Sequence, residues 1–234
     1  MIKKVSIVSG GSSGLGLEIA KQLLKCGKNV IILGRNGERL PEAVNLLREN
    51  CSNSFINPFI CNVGKESDVK DLGSYLTSGG YVTEFLFNNA GRGLIARAEI
   101  SNETMVDEIF ESNLKGMILL TAEILRITPA DAELTIVNIM STSALTGRTD
   151  ETIYCAAKWG ARGYTEALRS ELKGTKRNIV AVYPGGMKTN FWETADKTRN
   201  ISGFMDPRNV AEKIINAVTG TDKLTVTEIT INRK

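Results

Sequence analysis

No histidine occurs among the 234 residues. That absence removes the commonest general base near neutral pH, the commonest zinc ligand and every Ser-His-Asp arrangement. Proton chemistry, if any, falls to tyrosine, lysine, carboxylate or thiol. Cysteine is scarce: Cys26, Cys51, Cys61 and Cys155 show no C-x-x-C spacing. This argues against a metal site or disulfide framework and fits reduced thiols in a cytoplasm. No apolar run reaches membrane length, and Lys3 and Lys4 lead straight into Val5-Ser6-Ile7-Val8, leaving no room for a signal peptide. A soluble, cytoplasmic protein without a membrane partner is expected. Neither charge sign dominates: 29 Lys and Arg face 26 Asp and Glu, a net charge of +3, and the basic residues are scattered, which argues against nucleic acid as a partner.

What is present fits one globular domain spanning residues 1–234, with 42% hydrophobic and 24% charged residues and no linker or internal repeat. Short apolar runs at 5–8, 30–33, 55–60, 85–87, 134–139, 179–183 and 226–231 read as strands. Between them, 15–26, 38–49, 66–76, 102–127, 152–173 and 209–219 keep the i, i+3, i+4 apolar spacing of helices, with two helices expected within 102–127. Strand and helix alternate throughout. The expected fold class is α/β: a doubly wound parallel sheet of about seven strands with helices on both faces.

Ser9-Gly10-Gly11-Ser12-Ser13-Gly14-Leu15-Gly16 follows the first strand and opens the first helix, where an open α/β sheet binds phosphate. Gly10 allows the sharp turn; Gly14 and Gly16 let backbone amides approach a pyrophosphate and the helix pack on the strand, and Ser12 or Ser13 can add hydroxyls. The spacing G-x-x-x-G-x-G differs from the commoner G-x-G-x-x-G. About 20 residues on, where an acidic residue would hold the ribose of NAD, stand Gly34, Arg35 and Asn36, with Arg39 one turn further. A guanidinium there suits a 2'-phosphate, so NADP(H) is favoured over NAD(H), unless Arg35 is an ordinary surface charge.

Tyr154 and Lys158 lie four residues apart on one helix face, with Ser141 thirteen residues before the tyrosine. A free phenol titrates near pH 10, and a cation roughly 4 Å away in a medium of effective dielectric near 20 contributes about 4 kcal/mol, enough to bring it close to neutrality. Alone, a Tyr-x-x-x-Lys pair is a weak signal. Its company makes it specific.

Together these segments resemble the short-chain dehydrogenase/reductase family, in its compact Rossmann-like branch, over nearly the whole chain. The family's T-G-x-x-x-G-x-G is matched with Ser9 for threonine, its N-N-A-G by Asn88-Asn89-Ala90-Gly91, its active-site pair by Tyr154 and Lys158, its serine by Ser141, its helix asparagine by Asn113, and its P-G motif by Pro184-Gly185-Gly186-Met187-Lys188-Thr189. The resemblance implies an enzyme in which Tyr154 is the general acid or base, Lys158 lowers its pKa and holds the nicotinamide ribose, Ser141 polarises the carbonyl and Asn113 holds a relay water. It implies that Asn89, Ala90 and Gly91 flank the riboses, that Met187 and Thr189 contact the carboxamide, and that Leu15, Val63, Pro184 and Gly185 also line the cofactor. Asn62 stands where the family places an aspartate for adenine. The C-terminal 228–234 segment lacks the Gly-rich ending of the tetrameric acyl-carrier reductases, so a homodimer is expected, with a tetramer possible.

Other positions stay open between two readings. Ser143 is an alternative to Ser141. Trp159 can touch substrate or, as expected here, form the dimer contact. Arg148, Asp150 and Glu151 suit a polar substrate or a solvated loop rim, while Cys155 reads as a packing residue for want of an activating base. The substrate pocket is expected from 92–97, 144–153 and a mobile lid at 190–206. The expected function is NADP(H)-dependent hydride transfer to or from a small carbonyl or alcohol. Its rivals are a non-catalytic NADP(H)-binding regulator, which would not need the proton-transfer residues, and a sugar-nucleotide epimerase or dehydratase, which would need a larger substrate domain.

Overall fold

The computed structural model describes residues 3–49, 55–220 and 224–234, so Cys51 lies outside the described residues. Seven strands, β1 (Lys3–Ser9), β2 (Val30–Gly34), β3 (Ile56–Ile60), β4 (Tyr81–Asn88), β5 (Leu134–Ile139), β6 (Arg177–Pro184) and β7 (Glu228–Ile231), form one sheet in the order β3-β2-β1-β4-β5-β6-β7. Every pairing is parallel. Eight helices connect them: α1 (Gly14–Lys25), α2 (Arg39–Arg48), α3 (Glu66–Ser78), α4 (Glu103–Phe110), α5 (Gly116–Ile127), α6 (Thr152–Glu171), α7 (Trp192–Ala195) and α8 (Pro207–Val218).

A parallel sheet needs cover on both faces, and the apolar strands supply two cores. On one face Val8, Ile32, Phe87 and Val182 pack with Leu23 of α1, Leu47 of α2 and Ile214 of α8. On the other, Ile7, Ile31, Leu86 and Ile136 meet Leu72 of α3, Leu120 of α5 and Leu168 of α6. Each such side chain, taken fully from water, stabilises the fold by about 1.5–3 kcal/mol. The chain leaves β1 toward β2 and β3, then crosses back to β4 on the opposite side. That reversal opens a crevice at the carboxyl ends of β1 and β4.

Most element ends shift by one or two residues from the sequence expectation, and two differences have a visible cause. β4 begins at Tyr81 rather than 85 because Lys3, Lys4 and Val5 pair with Tyr81, Val82 and Thr83, extending it through a stretch whose own apolar pattern is broken by Thr83 and Glu84. The two helices expected within 102–127 are α4 and α5, and they are joined by a π-helical turn, Glu111–Lys115, rather than by a loop. Asn102 starts it by accepting from Met105 N–H. Within the wide turn the side-chain amide of Asn113 donates to the carbonyls of Ile109 (3.0 Å) and Arg92 (2.8 Å). A side chain thus takes part in bonding the wound backbone, a geometry frequent at functional sites.

No helix among the described residues is long and apolar enough to cross a membrane.

Candidate active site

The crevice is a cleft of about 1320 Å³ running from the Gly10–Gly14 turn to Tyr154 and the 190–206 segment. Every catalytic and cofactor residue expected from the sequence lines it except Gly16; of the positions left open, Ser143, Arg148 and Glu151 line it and Asp150, Cys155 and Trp159 do not. A Cβ at Gly16 would collide with Gly10 O and the amide of Asn89, so this glycine is needed for packing α1 against the turn. Gly10 and Gly14 have φ of 64° and 52°, left-handed values that a side chain disfavours. Ser9 fixes the turn to β4: its Oγ accepts from the N–H groups of Asn89 and Ala90, both at 3.0 Å, and donates to Phe87 O at 3.2 Å.

Asn89 returns the contact. Its Nδ2 donates to Ser9 O (2.9 Å) and Gly10 O (3.4 Å). The side chain expected to flank a ribose therefore holds the glycine turn. At the end of that turn, α1 carries no acidic residue in its first turn and its N-cap, Ser13, makes no side-chain capping bond. Its amide ends are left to the cleft, a donor set that fits a pyrophosphate.

At the adenosine end, Arg35 and Arg39 are exposed on the rim and form no ion pair among the described residues. Asn36 is committed elsewhere. Its Oδ1 accepts from the N–H groups of Glu38 (2.8 Å) and Arg39 (3.1 Å) and so starts α2. Asn62 donates from Nδ2 to Glu111 (3.0 Å) and accepts Gly64 N–H at 3.1 Å, leaving one lone pair on Oδ1. Its backbone N–H donates to Asp68, and that bond is the main reason the Asp68 carboxyl titrates below its ordinary value.

At the other end four residues converge. Tyr154 is buried, with its hydroxyl in a hydrogen bond with Ser141. The Lys158 ammonium sits 5.7 Å from the Tyr154 ring centroid and donates to Ile139 O at 3.3 Å. Asn113 Oδ1 is buried without a hydrogen-bond partner among the described residues, and a Cβ on Gly91 would lie 2.7 Å from it and 3.6 Å from Lys158 Nζ. An acceptor aimed at the space beside Lys158 fits a bound water or a ribose hydroxyl.

The electrostatics depart from the sequence argument. Burial raises the Tyr154 pKa above its ordinary value; the Ser141 hydrogen bond pulls it down and the Glu151 charge pushes it further up. Burial also lowers the Lys158 ammonium to about 8. The expected shift of the phenol toward neutrality is absent because desolvation penalises phenolate and ammonium alike and outweighs their attraction.

Three features were not assigned from the sequence. Asn88, within the recognised N-N-A-G segment, donates to Thr121 and Asn138, both at 2.8 Å, and Asn138 donates to Thr165 at 2.9 Å. This buried chain ties β4 and β5 to α5 and α6 below Lys158; polar residues inside apolar strands were its signal. Phe191 meets the Tyr154 ring edge-on at 5.8 Å, Trp192 meets Phe191, and Phe204 meets Trp192. Trp192 Nε1 donates to Met187 O, and Met205 closes the base of the segment against Gly186 and Lys188. Finally, Ser143 and Glu151 are bonded to each other at 2.8 Å. The loop before α6 is pinned by Ala96 N–H donating to Asp150 O at 2.7 Å, with Asp150 at φ 61°.

The chain belongs to the short chain dehydrogenase family, whose sequence profile matches residues 4–200. It is an enzyme of that family, which acts on CH–OH groups with NAD(P) as acceptor. It is 30% identical over 187 residues to a 3-oxoacyl-(acyl-carrier-protein) reductase of Rickettsia prowazekii, covering 80% of this chain and 74% of that protein. Among solved structures, a short-chain dehydrogenase/reductase from Vibrio parahaemolyticus matches with a TM-score of 0.85 and 32% identity over 98% of this chain and 97% of its own. An actinorhodin polyketide ketoreductase with NADPH matches with a TM-score of 0.87 and 26% identity over 98% and 95%.

Proposed function

We propose that this oxidoreductase uses NADP(H) in preference to NAD(H) and interconverts a small carbonyl compound and its alcohol, with Tyr154 as general acid or base. The observation that carries the reading is the convergence of Asn113, Ser141, Tyr154 and Lys158 at one end of a cleft whose other end is the Gly10–Gly14 turn. A non-catalytic regulator needs the turn but not the proton-transfer set.

A bound nicotinamide supplies or accepts the hydride; the protein supplies position, charge and the proton. The Gly10–Gly14 turn and the start of α1 hold the pyrophosphate, Arg35 the 2'-phosphate, Asn62 and Val63 the adenine end, and Pro184, Gly185, Met187 and Thr189 the nicotinamide end. Ser141 orients the carbonyl oxygen toward Tyr154. A phenol kept protonated by burial is the donor that reduction requires, and it releases its proton as negative charge develops on that oxygen. The Lys158 cation stabilises the phenolate left behind, and the free Asn113 Oδ1 holds the water that returns the proton. Residues 190–206 act as a lid over one globular domain, placing Phe191 against Tyr154 and excluding water.

The decisive experiment follows NADPH and NADH absorbance across a panel of ketones, aldehydes, ketoacyl esters and alcohols. Turnover with NADPH at higher kcat/KM than with NADH supports the reading. Cofactor binding without turnover of any compound would favour the regulator.

A further inference from the structure

Glu151 precedes α6, one turn before Tyr154, and is 8% exposed although ionisable. Its Oε2 accepts from Ser143 Oγ at 2.8 Å, and Ser143 is itself buried. Ser143 N–H donates in turn to Ser141 Oγ at 3.1 Å, so carboxylate, hydroxyl and Ser141 form one linked unit in the cleft wall.

Beyond the Ser143 bond, the fold makes little use of this carboxylate. Glu151 makes no side-chain capping bond to α6, and the structural work at this position is done by backbone: a bridge to Ala96, and Glu151 O accepting Cys155 N–H at 2.7 Å. No cation lies within 4 Å of it among the described residues. Arg148, three residues away, is exposed and donates to Thr142 Oγ1. A carboxylate offers about four acceptor sites; one oxygen is held by Ser143, and the group lies on the cleft wall, where its remaining acceptor capacity faces the space a substrate would fill. Glu151 and Tyr154 line the same cleft and the Glu151 charge acts on the phenol, so a donor to that carboxylate would come from whatever molecule lies against Tyr154.

We infer that Glu151 is a specificity-determining residue, selecting carbonyl substrates that carry a hydrogen-bond donor, a hydroxyl or an ammonium, a few bonds from the reacting carbon. The inference rests on the proposed carbonyl chemistry and narrows its substrate class. The donor bonds to Glu151 and turns the carbonyl toward Ser141 and Tyr154. A substrate without it displaces water from the carboxylate without supplying a donor in its place and is discriminated against.

The test compares butanone with its hydroxyl- and ammonium-bearing derivatives, substituted on either of the two carbons nearest the carbonyl, in wild type, Glu151→Gln and Glu151→Leu. Ratios of kcat/KM within each protein are read, so a general loss of activity or of folded protein cancels. Wild type is expected to favour a donor-bearing ketone over butanone by at least about tenfold. In Glu151→Gln the hydroxyl preference persists, because an amide oxygen still accepts, while the ammonium preference falls about tenfold or more. Glu151→Leu loses both, and KM carries most of the change. Equal handling of all the ketones by wild type, or ratios unchanged in both variants, overturns the selectivity and leaves carbonyl reduction standing. No cofactor-linked turnover of any ketone or of the corresponding alcohols overturns both readings.

Discussion

Lys158 places its ammonium 5.7 Å from the centre of the Tyr154 ring and anchors it on the carbonyl of Ile139, at the end of β5. The helical spacing brings the two residues together, and the strand end fixes the lysine's direction. Both groups are buried, so each resists ionising.

Replacing Tyr154 with Phe removes the hydroxyl and keeps the ring against Phe191. Turnover should fall about 10²- to 10⁴-fold, the usual contribution of a positioned proton donor, while NADPH affinity by fluorescence titration changes less than about threefold. Retention of half the wild-type turnover would show that another group supplies the proton.

The buried lysine gives a stability signature. Its folded pKa, about 8, lies below its ordinary 10.5, so above pH 8 the unfolded chain binds more protons than the folded one and stability rises with pH. From pH 8 to 9 the lysine alone contributes a gain of about 1 kcal/mol. The Cys61 thiol, pushed up to about 12 by burial from an ordinary value of 9.0, offsets part of that gain already in this window and more above it, because only the unfolded chain releases its proton; wild type and variant share this loss. Lys158→Met should therefore be more stable than wild type at pH 7 and should lose the rise. Denaturant midpoints at pH 7, 8 and 9 check this; a rise that survives the substitution assigns it elsewhere.

Cofactor choice should reside at the end of β2. A charge-assisted contact to a 2'-phosphate is worth about 1.5–3 kcal/mol, so wild type should bind NADPH about ten- to a hundredfold more tightly than NADH. Gly34→Asp with Arg35→Ala should reverse the order. A Cβ at position 34 meets the Leu40 side chain at 3.3 Å and Ser12 Oγ at 3.5 Å, which a flexible leucine can accommodate. Equal affinities in wild type would make Arg35 a surface charge only.

Asn88→Leu should destabilise the protein by about 1–3 kcal/mol, since it strips Asn138 and Thr121 of a buried partner. A drop of several degrees in Tm is expected. An unchanged Tm would mean that the network is dispensable.

Trp159 projects from α6 with 47% of its surface exposed and Arg162 stacked on it. If α5 and α6 meet their copies in a dimer, Trp159→Glu should shift the light-scattering mass from dimer to monomer at micromolar concentration. A wild-type monomer would reject that arrangement.

The sequence by itself determined the alternating architecture and most of the cleft. Strand and helix periods are local, and the glycine turn, N-N-A-G, Ser141 and Tyr154/Lys158 segments each carry their signal within a few residues. It did not disclose the π turn at Asn113, where the side-chain amide reaches Arg92 O, 21 residues away. Nor did it show that Asn89 serves the glycine turn, 79 and 80 residues distant, or that Phe191 seals Tyr154. The titration of the phenol was misjudged for the same reason: adjacency on a helix gives the sign of an attraction, but only tertiary burial sets the desolvation that opposes it. Spacing along the chain selected the chemistry, and packing across it decided which atoms remain free to take part.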